Sequence, residues 1–175
     1  MNSLNKRNPT FAGLLSLFLG PFGYAYIGLN FMLSGIIISI LFSIVLSLIN
    51  LPFPHFFTYL QLLVYGYYGY KLSIIRNIFA DDWGVTDDDV KEFKSFGFSF
   101  VVMTNLLMAL TQFYSTIVGL YLVYKSFAEG KILLGILLLL FGIALISWLL
   151  TSIFGFISGL LMLIFSVDKK YFDNR

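Results

Sequence analysis

The sequence contains no cysteine, one histidine and few charged residues. Of its 175 residues, 11% are Asp, Glu, Lys or Arg, whereas 59% are hydrophobic. The absence of cysteine excludes disulfides, thiolate metal sites and a cysteine nucleophile. The net charge of +2 is too small to indicate a nucleic-acid partner, and we expect none.

Ionisable residues are also missing from three long stretches of the chain. No Asp, Glu, Lys or Arg occurs in residues 8–70, 98–124 or 132–167. Ionisable side chains inside a membrane usually mark proton relays, ion coupling or intramembrane catalysis. Their absence argues against an ion-coupled transporter and against most membrane enzymes. We therefore expect no enzymatic activity, no cofactor and no metal.

The apolar composition predicts a membrane protein. Soluble domains usually carry about 25% charged residues, and a chain with a mean hydropathy of +0.90 could not cover its surface with polar groups. We expect an all-α, polytopic membrane helical bundle with about six (five to six) transmembrane segments and one short amphipathic interfacial helix. We expect it to form a single domain over residues 1–175, in contact with membrane lipid.

The boundaries of the segments follow the apolar stretches. They are residues 11–28, 31–50, 56–75, 98–124, 131–147 and 152–167, with a polar interfacial segment at 76–97. The apolar stretch 131–166 would form a straight helix of about 54 Å, against a bilayer core of about 30 Å. We therefore predict a break at residues 147–152, where polar residues coincide with Trp148.

The distribution of Lys and Arg favours a cytoplasmic N-terminus. With six crossings, seven basic residues lie inside and four lie outside. Those inside are Lys6, Arg7, Lys125, Lys131, Lys169, Lys170 and Arg175, and those outside are Lys71, Arg76, Lys91 and Lys94. In an alternative topology, Gly20-Pro21 makes residues 11–28 re-entrant, and the numbers become six and five.

The basic pair and first apolar stretch also fit a signal peptide with cleavage near Ala25. An uncleaved segment is the better interpretation, because another apolar segment follows at once.

Five residues near the N-terminus predict a helical hairpin: Gly20, Pro21, Gly23, Tyr26 and Gly28. The glycines permit turns and close backbone contacts, and proline interrupts a helix. The stretch 8–48 resembles small prokaryotic membrane proteins of the two-transmembrane-helix-domain type, which have a Pro/Gly break, Gly-x-x-Tyr-x-Gly and a second apolar helix. Here Gly20 precedes Pro21, the reverse of the usual order. The resemblance implies a helical hairpin, a location in a prokaryotic cytoplasmic membrane and no particular activity.

Small residues recur every four positions in two segments, and we interpret them as helix-packing surfaces. The first set is Gly35, Ser39, Ser43 and Ser47, and the second is Ser147, Thr151, Gly155 and Gly159. Such residues allow helix backbones to approach closely in membranes. Packing within the chain is favoured, and a partner helix from another membrane protein or a second copy is the alternative.

Polar residues inside the apolar segments are few, and Asn105, Thr111 and Gln112 are the main candidates for a polar lining. Interhelical hydrogen bonding is the simpler interpretation, and a path for a small molecule is the alternative.

The acidic residues near position 87 do not have the spacing of a calcium loop. Thr86 followed by Asp87, Asp88 and Asp89 instead predicts the capped start of a short amphipathic helix, with Trp83 at the interface.

Three function hypotheses remain. The first is a non-enzymatic accessory, assembly or scaffold component that acts through helix contacts. The second is a carrier or channel for a small neutral or lipidic molecule. An enzyme acting on lipids ranks last, because only His55 with Asp81 or Asp82 could supply a catalytic pair.

Overall fold

The computed structural model describes residues 4–49, 56–81 and 84–173, and it is helical, with no strand in these ranges. The predicted all-α class is confirmed. The elements in chain order are α1 (Pro9–Leu19), a 3-10 helix (Gly20–Tyr26), α2 (Leu29–Ile49), α3 (Phe56–Asp81), α4 (Asp87–Phe93), α5 (Phe96–Ala128), α6 (Ile132–Leu137), a π-helical turn (Leu138–Gly142), α7 (Ile143–Ile164) and α8 (Lys170–Asp173).

Three stretches of described helix are long and apolar enough to cross a membrane. They are Leu29–Leu48, Phe96–Ala128 and Ile132–Ile164. The last one joins α6, the π-helical turn and α7 into one continuous helix. By length and composition, these three helices are compatible with a membrane protein.

The segment 11–28 folds back on itself and does not form one straight helix. Asn8 caps α1 through its side chain, and the chain reverses at Gly20, whose φ of 58° is in the left-handed region that glycine tolerates. The 3-10 helix then returns along α1, so that the Tyr26 hydroxyl accepts a 3.3 Å hydrogen bond from the Asn8 amide. We call α1 and the 3-10 helix the N-terminal hairpin.

The N-terminal hairpin packs closely against α3 and α2. A β-carbon on Gly23 would lie 2.4 Å from the backbone nitrogen of Ser16, and one on Gly69 would lie 2.3 Å from the Ser16 hydroxyl. Tyr24 is completely buried and donates a hydrogen bond to the Tyr65 carbonyl. Glycine at position 23 therefore lets the two arms of the hairpin approach each other, and glycine at position 69 lets α3 approach α1.

Both ends of the described chain lie at one end of the bundle, which we call the terminal end. Arg7 exchanges hydrogen bonds with Asn77 at the end of α3, and the Asp168 amide donates to Glu92 in α4. The opposite end, where residues 129–131 connect α5 to α6, we call the turn end. Helices α2, α3, α5 and α6–α7 run between these two ends.

The break predicted at residues 147–152 is wrong, because α7 continues through them from Ile143 to Ile164. Thr151 and Ser152 donate to Ser147 and Trp148 carbonyls in the preceding turn of the same helix. Their polar groups are therefore satisfied without ending the helix. The irregularity in this helix lies before the predicted break, at the π-helical turn Leu138–Gly142. Helices α3 and α5 also extend beyond their predicted boundaries of 56–75 and 98–124, to Asp81 and over Phe96–Ala128.

Candidate functional site: a cleft between α3, α5 and α7

Helices α3 and α7 both pack against α5 but not against each other in the described residues. The space between them is a cavity of about 570 Å³ with α5 as its floor and α8 at its terminal end. We call it the lateral cleft. Its lining includes Asn105 and Met108 from α5 and Thr151, Gly155, Ser158 and Gly159 from α7. The lateral cleft is therefore mostly apolar, with a few polar groups.

The two glycines of the second small-residue set lie open in this cleft. A β-carbon built on Gly155 or on Gly159 would meet no other atom within 4 Å. The packing within the chain that the sequence favours is therefore absent at these positions. The rest of the set behaves differently, because the Thr151 hydroxyl accepts a 2.9 Å hydrogen bond from Gln112 and the Ser147 carbonyl accepts one from Thr151. Contact between α5 and α7 is thus made at Thr151 and lost at Gly155 and Gly159.

Asn105, Thr111 and Gln112, the residues predicted to form a polar lining, make separate contacts. Asn105 faces the lateral cleft, and its backbone carbonyl accepts a 2.7 Å hydrogen bond from the Tyr68 hydroxyl. Thr111 donates to the Leu107 carbonyl of its own helix, and Gln112 bonds to Thr151. The three residues therefore do not line one path.

The first small-residue set is also divided. Gly35 packs against Tyr24 and Met103, since a β-carbon there would lie 2.8 Å from the Tyr24 ring. The Ser39 hydroxyl accepts a 2.9 Å hydrogen bond from Tyr65. Ser43 and Ser47 are exposed and bond to carbonyls of their own helix.

A surface groove of about 490 Å³ lies between α2 and α3. It is lined by Ser39, Ser43 and Ser47 of α2, by Gln61 of α3 and by Pro21 and Phe22 of the N-terminal hairpin.

The residues of the predicted hairpin occupy the N-terminal hairpin and its exit. Gly20 and Pro21 begin the 3-10 helix, and Gly23 makes the close contact with α1. The Tyr26 ring packs edge-on against Phe11 at 5.1 Å, and Gly28 precedes α2. These residues reverse the chain and fill the space between α2 and α3.

The amphipathic helix predicted near the acidic residues is α4, and its predicted capping box is present. Thr86 accepts a hydrogen bond from the Asp89 amide, and the Asp89 carboxylate accepts one from the Thr86 amide. Val90 and Phe93 are buried.

Sequence reasoning missed that Asp89 also holds the C-terminal segment. Its carboxylate accepts a hydrogen bond from the Tyr171 hydroxyl and forms a 3.0 Å ion pair with Lys170. The Tyr171 hydroxyl, followed by Thr86, holds the pKa of Asp89 well below its usual range. Burial, and then the hydrogen bond to Asp89, raise the pKa of Tyr171. The sequence gives no signal for this contact, because Asp89 and Tyr171 are 82 residues apart.

The catalytic alternative involves residues that are only partly described. His55, Asp82 and Trp83 lie outside the described residues. Asp81 forms a 2.8 Å ion pair with Lys6. Within residues 4–49, 56–81 and 84–173, no three His, Cys, Asp or Glu side chains come together as a metal site.

Comparison of the chain with protein-family models, with curated proteins and with solved structures finds no match.

Proposed function

We propose that this protein is a non-enzymatic accessory or assembly component of a membrane complex, and that a helix of its partner packs into the lateral cleft. The observation that carries the proposal is the open pair Gly155 and Gly159, which no part of the described chain covers. Helices in a membrane associate mainly through close packing at small residues, because lipid is as apolar as their side chains. A Gly-x-x-x-Gly pair without a partner in the chain is therefore a surface suited to another helix.

The exposure of the α6–α7 helix supports the same proposal. Of its most apolar window, 6% is buried, compared with 28% in α2 and 22% in α5. The continuous helix has 33 residues, which gives a length of about 50 Å. Fitting it within a core of about 30 Å would require a tilt of roughly 50°, beyond the usual range of about 0–40°. Contact with a partner protein would cover the excess apolar surface.

The proposed topology has four crossings, together with a re-entrant N-terminal hairpin. Three are the long apolar helices α2, α5 and α6–α7. The fourth is α3, which is less apolar and is included because it packs against α5 and the N-terminal hairpin between the same two ends. This replaces the six-crossing arrangement favoured from the sequence, because residues 11–28 fold back and α7 is unbroken. In this topology, the described basic residues are distributed unequally between the two ends of the bundle. Lys6, Arg7, Arg76, Lys91, Lys94, Lys169 and Lys170 lie toward the terminal end, Lys71 lies near the middle of α3, and Lys125 and Lys131 lie at the turn end. Seven against two supports a cytoplasmic location for the terminal end and for the N-terminus.

The experiment that tests the proposal is the native mass of the gently solubilised protein, purified from its host at natural abundance. We expect a defined complex with another membrane protein, and we expect the double variant Gly155→Leu, Gly159→Leu to be recovered without it. The matched control is Ile164→Ala, which is 70% exposed on the side of the same helix facing away from Gly155 and should retain the partner. A wild-type protein that is always alone and monomeric would overturn the proposal.

A second candidate function is the binding or transfer of a lipidic or small neutral molecule in the same cleft. The cleft volume of about 570 Å³ favours it, since small-molecule sites range from about 300 to 1,000 Å³ and are mostly apolar with a few polar groups. In the same experiment, a monomer that retains a bound lipid or metabolite would support this function. Loss of that molecule in the double glycine variant would place it in the cleft.

A further inference from the structure

A second, smaller cavity of about 270 Å³ lies at the terminal end of the bundle, away from the lateral cleft. It is enclosed by the first turn of α2, the end of α3 and the end of α4. Two basic side chains, Arg76 and Lys94, line it together with Ile27, Gly28, Leu29, Asn30, Phe31 and Phe93. None of these described lining residues is acidic. The cavity therefore combines a positive rim with an apolar wall.

The Arg76 guanidinium is fixed in position by backbone carbonyls. Its Nε donates to the Asn5 carbonyl at 3.1 Å, and its Nη1 donates to the Ile27 carbonyl. Carbonyls orient the guanidinium but do not neutralise it, and a guanidinium can make further paired hydrogen bonds to a phosphate. A second guanidinium, that of Arg7, lies 5.0 Å from the centre of the Tyr26 ring. Tyr26 directly precedes Ile27, whose carbonyl accepts the hydrogen bond from Arg76. The Arg7 Nε is buried and has no hydrogen-bond partner among the described residues.

Among the described residues, two other basic residues at the terminal end are paired with carboxylates, unlike Arg7, Arg76 and Lys94. Lys6 lies 2.8 Å from Asp81, and Lys91 lies 3.0 Å from Asp88. In the described part of the chain, no ion pair within 4.0 Å involves Arg7, Arg76 or Lys94. The positive charge around the cavity is therefore left for an anion, and like charges held close together increase the attraction for one.

An exposed apolar track leads away from the cavity along α2. Leu29 lines the cavity, and further exposed aliphatic side chains follow it at intervals of three or four positions: Leu33, Ile37, Ile40 and Ile44. Residues at this spacing share one face of a helix. The face begins beside the two basic groups and runs toward the middle of α2.

We propose that this cavity binds the phosphate of an anionic phospholipid between Arg76 and Lys94, with an acyl chain of that lipid lying along the exposed face of α2. A phosphate bound to basic residues needs no apolar track, whereas a phospholipid needs both parts. Basic pockets between membrane helices on the cytoplasmic side are suited to anionic headgroups. The inference does not depend on a partner in the lateral cleft.

The test is lipid binding to the purified full-length protein, measured by native mass spectrometry with added phosphatidylglycerol or phosphatidylcholine. We expect phosphatidylglycerol to be retained in preference to phosphatidylcholine. Lys94→Gln should weaken that retention about fivefold, the effect of losing one basic contact near a membrane surface. Arg76→Gln should weaken it at least as much. Because Arg76 also supports the fold, Lys94→Gln is the decisive variant.

The matched control is Lys125→Gln, which removes one exposed positive charge at the turn end and should leave retention unchanged. Inorganic phosphate is added in a separate measurement, and it should not displace the lipid. Equal retention of the two lipids, an equal loss in Lys94→Gln and Lys125→Gln, or displacement by inorganic phosphate would overturn the proposal. Displacement would indicate a site for the free anion.

Discussion

The N-terminal hairpin and the α6–α7 helix are both apolar, yet they are packed in opposite ways. In the hairpin and its neighbours, Ala12, Tyr24 and Ile27 are nearly inaccessible. In α6–α7, Phe156 and Leu163 expose 69% and 78% of their surfaces. The glycines show the same contrast, because a β-carbon added to Gly23 would collide with backbone atoms, whereas one added to Gly155 would meet no atom within 4 Å. Apolar composition places a segment in the membrane, but contact with other helices decides whether it is also part of a core.

The largest expected effect comes from adding one methyl group to the hairpin. Gly23→Ala would place a β-carbon 2.4 Å from a backbone nitrogen that cannot move independently. We expect a loss of about 3 kcal/mol in the free energy of unfolding, or failure to fold. Thermal unfolding in detergent measures it.

The control for this prediction is Gly155→Ala, which adds the same methyl group to open space. Its free energy of unfolding should not fall and should rise by up to about 1 kcal/mol, because alanine favours the helix more than glycine does. Equal effects in the two variants would contradict the contrast between the regions.

A pair of leucines tests the same contrast by removing atoms. Leu106 is completely buried in α5, whereas Leu163 in α7 is 78% exposed. Leu106→Ala should lower the free energy of unfolding by about 2–4 kcal/mol, because it leaves a cavity. Leu163→Ala should lower it by less than about 0.5 kcal/mol. A large loss at Leu163 in the isolated protein would show that α7 packs more extensively than its exposure indicates.

The C-terminal segment should be released by Asp89→Asn. The variant loses the ion pair to Lys170 and weakens the hydrogen bonds from Thr86 and Tyr171, at a cost of about 1–2 kcal/mol. Hydrogen exchange of residues 168–173 should become faster while that of α2 stays unchanged. Unchanged exchange in residues 168–173 would mean that other contacts hold the segment.

The pH dependence of this contact follows from the two pKa shifts. A carboxylate whose pKa is lowered on folding stabilises the folded state above its usual pKa of about 4. That contribution is lost only as the pH falls toward the lowered value. The raised pKa of Tyr171 acts in the other direction, with stability present below its usual value of about 10 and lost as the pH rises above it. Hydrogen exchange should therefore show the segment docked from pH 5 to pH 9 and released in strong alkali. Tyr171→Phe should remove the part of the alkaline transition that comes from Tyr171 and leave the part from Lys170, whose pKa is also raised by its contact with Asp89.

The smallest expected effect is at the contact between α5 and α7. Gln112→Leu removes the hydrogen bond to Thr151, and interhelical hydrogen bonds in membranes contribute about 0.6 kcal/mol on average. A double-mutant cycle with Thr151→Val measures the coupling directly. A coupling well above about 2 kcal/mol would show that this one bond, and not general packing, joins the two regions.

Local features of the sequence predicted several elements correctly. The capping box at Thr86 and Asp89 requires residues only three positions apart, so its chemistry is visible in the sequence. At Gly20 and Pro21 the sequence indicates an interruption, because glycine and proline act on their own backbone. The favoured six-crossing arrangement nevertheless keeps residues 11–28 as one crossing, whereas the chain reverses there. By contrast, the sequence predicts a break at Thr151 and Ser152, but both residues lie inside α7. Their hydroxyls donate to carbonyls of the preceding turn, so the helix continues through them.

The packing surfaces could not be predicted in the same way. Gly35 and Gly155 belong to equally regular sets of small residues, yet Gly35 touches Tyr24 and Gly155 faces the lateral cleft. Asn105 and Gln112 share a helical face in the sequence, but one lines the cleft and the other bonds to α7. The basic residues Arg76 and Lys94 are 18 positions apart, and only the packing of α3, α4 and α2 brings them to one cavity.

The sequence by itself determined that the chain is helical and apolar enough for a membrane, because backbone groups in lipid must be satisfied within each helix. The tertiary structure decided which apolar faces are buried, where the cleft opens and which basic groups meet. The physical reason is that lipid and leucine are nearly equivalent as surroundings. In water, the pattern of polar and apolar faces shows which side of a helix is buried. In a membrane, helices apolar on all sides carry little of that information, and close contact between particular residues decides the arrangement.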